Sequence, residues 1–123
     1  MTKEAKVDGM LDPAALENLR EMIGGDPEFL AELMDTFLNE APQLLANMRQ
    51  AVEDRDAAGL RLAAHSLKSN SADFGAMTLS NLCWELEGMG KAGTLDGAAE
   101  KVAQVEAEYE RVKPAIEAVR KEC

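Results

Sequence analysis

The chain predicts an all-α protein, an antiparallel up-down-up-down four-helix bundle with a short additional N-terminal helix. Three observations carry this expectation. Only 4% of the 123 residues are aromatic, and Ala, Leu, Met, Glu and Val dominate, a balance that favours helices packed on helices over β-sheet. Apolar residues recur in steps of three and four over long stretches. The breaks between those stretches are short, so neighbouring helices must run antiparallel.

Each element has its own local signals. Residues 1–9 are polar and patternless and read as a flexible lead-in, which leaves 10–123 as the bundle domain. Asp12-Pro13 supplies an N-cap acid followed by a proline at the first helical position. The short helix that follows is expected to reach about Ile23, with Leu16, Leu19 and Ile23 on one side and Gly24-Gly25 as its stop. Asp26-Pro27 repeats the start signal and opens a longer helix with a stripe of Leu30, Leu33, Phe37, Ala41, Leu44, Met48 and Val52. Pro42 lies inside that stripe and is expected to kink the helix without ending it. After the break at Asp54-Arg55-Asp56, a third helix presents Leu60, Ala64, Leu67, Ser71 and Phe74 inward.

Gly75 marks a tight joint to a fourth helix that buries Leu79, Leu82, Cys83 and Leu86, with Gly88, Gly90 and Gly93 closing it. The last helix is the most regular. Leu95, Ala98, Val102, Val105, Tyr109, Val112, Ile116 and Val119 step 3-4-3-4-3-4-3, the pattern of a coiled-coil-like seam. Pro114 lies off the seam and is expected to bend the helix locally.

Composition excludes several functions. Thirteen basic against twenty-three acidic residues give a net charge of −10, which argues against nucleic acid and anionic membranes as partners of the domain. No apolar run has membrane-spanning length and no secretory leader is evident. Cys83 lies in an apolar stretch, Cys123 is the last residue, and neither belongs to a metal-binding Cys-x-x-Cys pair. The plain reading is a reducing cytoplasm.

His65 is the only histidine. At about 100° per residue, Leu60 and Leu67 lie some 140–160° away from it, so it faces out of the core. Arg61 and Leu62 are one turn before it, and Lys68 and Ser69 one turn after. Small side chains at Ala58, Ser69 and Ala72 leave the imidazole above a low surface that another protein's active site could cover. Arg61 and Lys68 are expected to disfavour protonation of the ring, and then to stabilise a phosphoryl group bound to it. A lone exposed histidine beside two cations is most often a solvated helix face. Three poor helix formers in a row, Ser69, Asn70 and Ser71, ask for a reason beyond that, and their small size supplies one.

The run His65-x-Leu67-Lys68-Ser69-x-Ser71, followed by Phe74-Gly75-Ala76, resembles the signature of histidine-containing phosphotransfer (HPt) domains. The likeness extends to the helix from Phe29 to Leu45 with Ala41-Pro42 inside it, the start at Asp56, and Leu82-Cys83-x-x-Leu86-Glu87 followed by glycines. It covers the chain from about Leu11 onward. The resemblance implies a middle step in a His-Asp phosphorelay, taking a phosphoryl group from a receiver-domain aspartate and passing it to another. It implies His65 as the phosphorylated nucleophile and Lys68 beside the phosphoryl group. Arg61, Leu62, Ser69, Ala72 and Gly75 are then the expected docking residues, and Asn70 departs from the Ser or Ala common at its position.

The implied partners are response-regulator receiver domains and a hybrid sensor histidine kinase, with the chain itself a monomer. The chain has no glycine-rich nucleotide loop and no recognisable acidic Mg²⁺ cluster. It is therefore expected to work as a carrier, not an enzyme, with Mg²⁺ coming from the receiver. The phosphoacceptor domain of a chemotaxis-type kinase has a similar core, and a non-catalytic interaction scaffold is the alternative from another class. A sensor-kinase dimerisation helix needs an acid after the histidine and a proline five positions on, where Ser66 and Asn70 stand. A carboxylate-bridged metal bundle needs Glu-x-x-His pairs, and the residue three before His65 is Leu62.

Overall fold

The computed structural model describes residues 10–123, so the expected lead-in over 1–9 lies outside the described residues. The described chain forms five helices and no strand: α1 Pro13–Met22, α2 Pro27–Glu53, α3 Ala57–Asp73, α4 Met77–Ala92 and α5 Ala98–Lys121. The four long helices close into a ring, α2 against α3, α3 against α4, α4 against α5 and α5 back against α2, while α1 packs on α3.

Antiparallel order is visible in the cross-helix pairs. Asp35 and Arg120 meet near one end of α2 and α5, and Arg49 and Glu106 meet towards the other. Both start signals work as written. The Asp12 carboxylate accepts from Ala14 N–H at 3.0 Å, and that of Asp26 from Glu28 N–H at 3.0 Å. Each satisfies an N–H group that the first helical turn leaves without a partner. Helix α2 runs through Pro42 and α5 through Pro114, and both prolines are solvent-exposed.

The core contains Leu60, Ala64, Leu67, Ser71 and Phe74 from α3 and its end, as the periodicity required. The α2 stripe needs correction. Its buried members are Leu30, Met34, Phe37, Ala41, Leu45, Met48 and Ala51, whereas Leu33, Leu44 and Val52 are half-buried. Because α2 packs on both α3 and α5, its buried arc is wide, and Leu33 and Leu44 fall on the flank bordering α3.

Helix α4 also differs from expectation. Gly88 and Gly90 lie inside it, and only Gly93, at φ +73°, ends it. Leu82 is half-buried. Gly97, at φ +82°, precedes α5, so Leu95 packs on the core from the turn and not from the helix.

Candidate functional site

Helix α3 starts where the Asp56 carboxylate accepts from Gly59 N–H at 2.9 Å. Burial of Leu60, Ala63, Ala64 and Leu67 fixes its rotation. His65 is thereby turned to solvent, with 58% of its side-chain surface exposed.

The neighbouring helix is brought unusually close. A Cβ at Gly90 would stand 2.7 Å from Ala57 O and 2.8 Å from Arg61 Cβ, so only glycine lets α4 approach the first turns of α3 at this distance. One helix length further on, Ser80 Oγ donates to Lys68 O at 3.1 Å. Between these two contacts stands Glu87, which the sequence reading gave no role. Its Oε2 accepts from His65 Nδ1–H at 2.9 Å and its Oε1 from Lys68 Nζ at 2.6 Å.

One carboxylate therefore holds both His65 and Lys68 of α3. A carboxylate acceptor at Nδ1 places a proton on that nitrogen and leaves Nε2 as the ring atom turned away from it. The hydrogen bond from Lys68, opposed by burial and reinforced by His65, holds the Glu87 carboxyl below the usual carboxylate range.

This clamp corrects the expected electrostatics. Lys68 is not a bare cation beside the imidazole, because its ammonium is already bound to Glu87. The ring meets an anion at Nδ1, so the expectation that two cations alone set its charge state does not describe the site.

The other expected residues separate into two groups. Arg61, Leu62 and Ser69 are exposed and Ala72 is half-buried, all on the outer side of α3, with Leu62 67% exposed. Gly75 is buried and is not part of that surface. At φ +80°, with the Asp12 backbone nitrogen only 2.6 Å from where a Cβ would stand, it serves the joint that ties α1 to the end of α3. Asp12 N–H donates to Gly75 O there at 2.8 Å.

On the side away from Glu87, a groove of about 530 Å³ opens between α2 and α3, lined by Glu40, Gln43 and Leu44 opposite His65, Ser66, Ser69 and Asn70. Among the described residues no three His, Cys, Asp or Glu side chains converge as a cation site. Nor is any described helix long and apolar enough to cross a membrane.

Comparison with known proteins places these features in a family. The family model described as the Hpt domain matches residues 32–115. Histidine-containing phosphotransfer protein 2 of Arabidopsis thaliana is 26% identical over 112 residues, covering 89% of this chain and 72% of that protein. The crystal structure of histidine-containing phosphotransfer protein B from Pseudomonas aeruginosa superposes with a TM-score of 0.85 at 30% identity, over 94% of this chain and 98% of that one. The Medicago truncatula histidine-containing phosphotransfer protein gives a TM-score of 0.79 at 27% identity, over 98% of this chain and 84% of that one.

Proposed function

The chain belongs to the Hpt domain family, the phosphocarriers of phosphorelay signalling, and we propose that His65 is its phosphoryl-accepting residue, with Nε2 as the reacting nitrogen. The observation that carries this reading is the His65 imidazole itself. It is more than half exposed on the outer face of α3, while Nδ1 is tied to Glu87.

In the forward step the Nε2 lone pair attacks the phosphorus of a receiver's aspartyl phosphate. The N–P bond forms, the P–O bond breaks, and its electron pair returns to the aspartate as carboxylate. Nδ1 keeps its proton throughout, and the ring gains positive charge that the Glu87 carboxylate stabilises across the 2.9 Å hydrogen bond. Onward transfer reverses these bond changes on a second receiver.

Lys68, within a flexible side chain's reach of both Glu87 and the ring, supplies positive charge to the transferring group. Mg²⁺ belongs to the receiver in this scheme. The chain's own residues position the nucleophile and hold its proton, and it acts as a carrier and not as an enzyme with its own nucleotide or metal site. Arg61, Leu62, Ser69 and Ala72 form the surface over which the receiver closes. Receiver domains and a hybrid sensor kinase are the partners, and the carrier works as a monomer in the cytoplasm.

The test is direct. The chain, incubated with a phosphorylated receiver domain, takes up a label that survives base and is lost in acid, and His65→Gln takes up none. Equal labelling of the two proteins would overturn the assignment.

A further inference from the structure

Resting on the carrier reading, we propose that Gly90 and Ser80 are positioning residues for phosphotransfer. Together they brace the α3–α4 seam on either side of Glu87 and set the spacing at which its carboxylate reaches the His65 ring. Both act through the seam, not on the ring itself.

At about 100° per residue, Ser80 and Glu87 point within about 20° of each other on the α3-facing side of α4, and Gly90 lies almost one turn beyond Glu87. Ser80 is buried and donates its hydroxyl to Lys68 O at 3.1 Å. At the other contact, a Cβ on Gly90 would stand 2.7 Å from Ala57 O, 2.8 Å from Arg61 Cβ and 2.9 Å from Arg61 N. Two of these neighbours are backbone atoms of a packed helix, which cannot turn aside as the end of a long side chain could. Glu87 thus lies between two contacts about 15 Å apart along α4, each made directly to the α3 backbone.

The tolerance is small. Ordinary contact begins near 3.4 Å, so a Cβ at Gly90 falls about 0.7 Å short of it against Ala57 O. Widening the seam by that much takes the 2.9 Å bond from His65 Nδ1 out of hydrogen-bonding range. The two donors to Glu87 respond differently. Lys68 has a flexible four-carbon stem and can follow the carboxylate outward. The imidazole turns on only two torsions, on a helix whose inner face is packed. A wider seam therefore costs the ring its partner first, and with it the preference for a proton on Nδ1. Gly88, two residues before Gly90 on the same helix, supplies the contrast. It is exposed, and a Cβ there would meet nothing within 4 Å.

The experiment compares wild type with Gly90→Ala, Ser80→Ala and Gly88→Ala in phosphoramidate labelling and in ¹⁵N spectra of the imidazole. Gly90→Ala should label about three- to fivefold more slowly and Ser80→Ala about twofold, each with a mixture of ring tautomers. Gly88→Ala should keep the wild-type rate within about 1.5-fold and the single Nδ1–H tautomer, while gaining resistance to urea. Adding Gly90→Ala to Glu87→Ala should cost no further rate, because its effect runs through that carboxylate.

A wild-type tautomer and rate in folded Gly90→Ala overturn the proposal, since a purely structural glycine would change stability alone. A further loss in the double variant as large as in the single one also overturns it. Should Gly90→Ala fail to fold, a wild-type tautomer and rate in Ser80→Ala overturn it in the same way. If phosphoramidate does not label wild type, the carrier reading falls, while the tautomer spectra still judge the brace.

Discussion

Replacing Glu87 by Ala separates what the clamp does for chemistry from what it does for folding. The substitution removes two charge-assisted hydrogen bonds, at 2.9 Å to His65 Nδ1 and 2.6 Å to Lys68 Nζ, from a carboxylate whose side chain is only 12% exposed. Such bonds contribute about 1.5–3 kcal/mol each when shielded from water. The His65 end is largely solvated and Lys68 is free to turn to water, so roughly 1–1.5 kcal/mol is the reasonable share for orienting the ring. At about 1.4 kcal/mol per tenfold, the rate of phosphoryl uptake should fall roughly five- to tenfold. Glu87→Gln keeps a carbonyl oxygen that can accept from Nδ1–H and should lose only about two- to threefold.

The assay pairs phosphoramidate labelling with ¹⁵N spectra of the imidazole. Wild type should show the Nδ1–H tautomer and the Ala variant a mixture. A pure Nδ1–H tautomer in Glu87→Ala, or an undiminished labelling rate, would refute the argument that this carboxylate orients the nucleophile. The sign of the pH effect follows from the same contacts. The Glu87 carboxyl is depressed, so the clamp's contribution is complete above the ordinary carboxylate value. It is lost as pH falls through the lowered one.

Three further outcomes test the scaffold. Gly75→Ala forces a side chain into the left-handed region and against the Asp12 backbone, and should cost about 2–4 kcal/mol in urea unfolding, mostly by detaching α1. Arg55 has φ +56° and is exposed, so Arg55→Gly should be neutral to stabilising, by up to about 1 kcal/mol in the same assay. Burial pushes the Cys83 thiol up to about 12 while Cys123 is exposed. An aromatic disulfide reagent at mildly alkaline pH should therefore titrate one thiol in the native protein and two in denaturant.

How far the sequence went depended on whether a feature is local to one helix. The caps at Asp12 and Asp26 were legible because an N-cap acid followed by proline is decided within a few residues. The outward placement of His65 was legible because Leu60 and Leu67 on the same helix are fully buried. Along α2 the periodicity located the stripe but not its edges. Leu33 and Leu44 carry the right spacing, yet they lie where the α2–α3 seam opens to water, and only the partner helices determine that. The half-buried state of Leu44 is what gives the groove beside His65 its apolar floor.

Glu87 was out of reach for a stronger version of the same reason. It is 22 residues from His65 on a different helix, and although it ends the family-like run from Leu82, that likeness gives it no role. The signal that could have found it is Gly90, three residues later. A glycine inside an otherwise good helix costs about 1 kcal/mol against Ala and so asks for a packing reason; Gly90 has one, whereas a Cβ at Gly88 would meet nothing within 4 Å. Read as a contact, Gly90 places α4 against Ala57 and Arg61. The residue one turn back from that contact then faces the turn of α3 that holds His65 and Lys68. The glycine therefore has a functional consequence although it touches neither side chain. By setting how closely the two helices meet, it sets whether the carboxylate can reach the imidazole, so a Cβ at Gly90 should loosen the clamp as well as the packing.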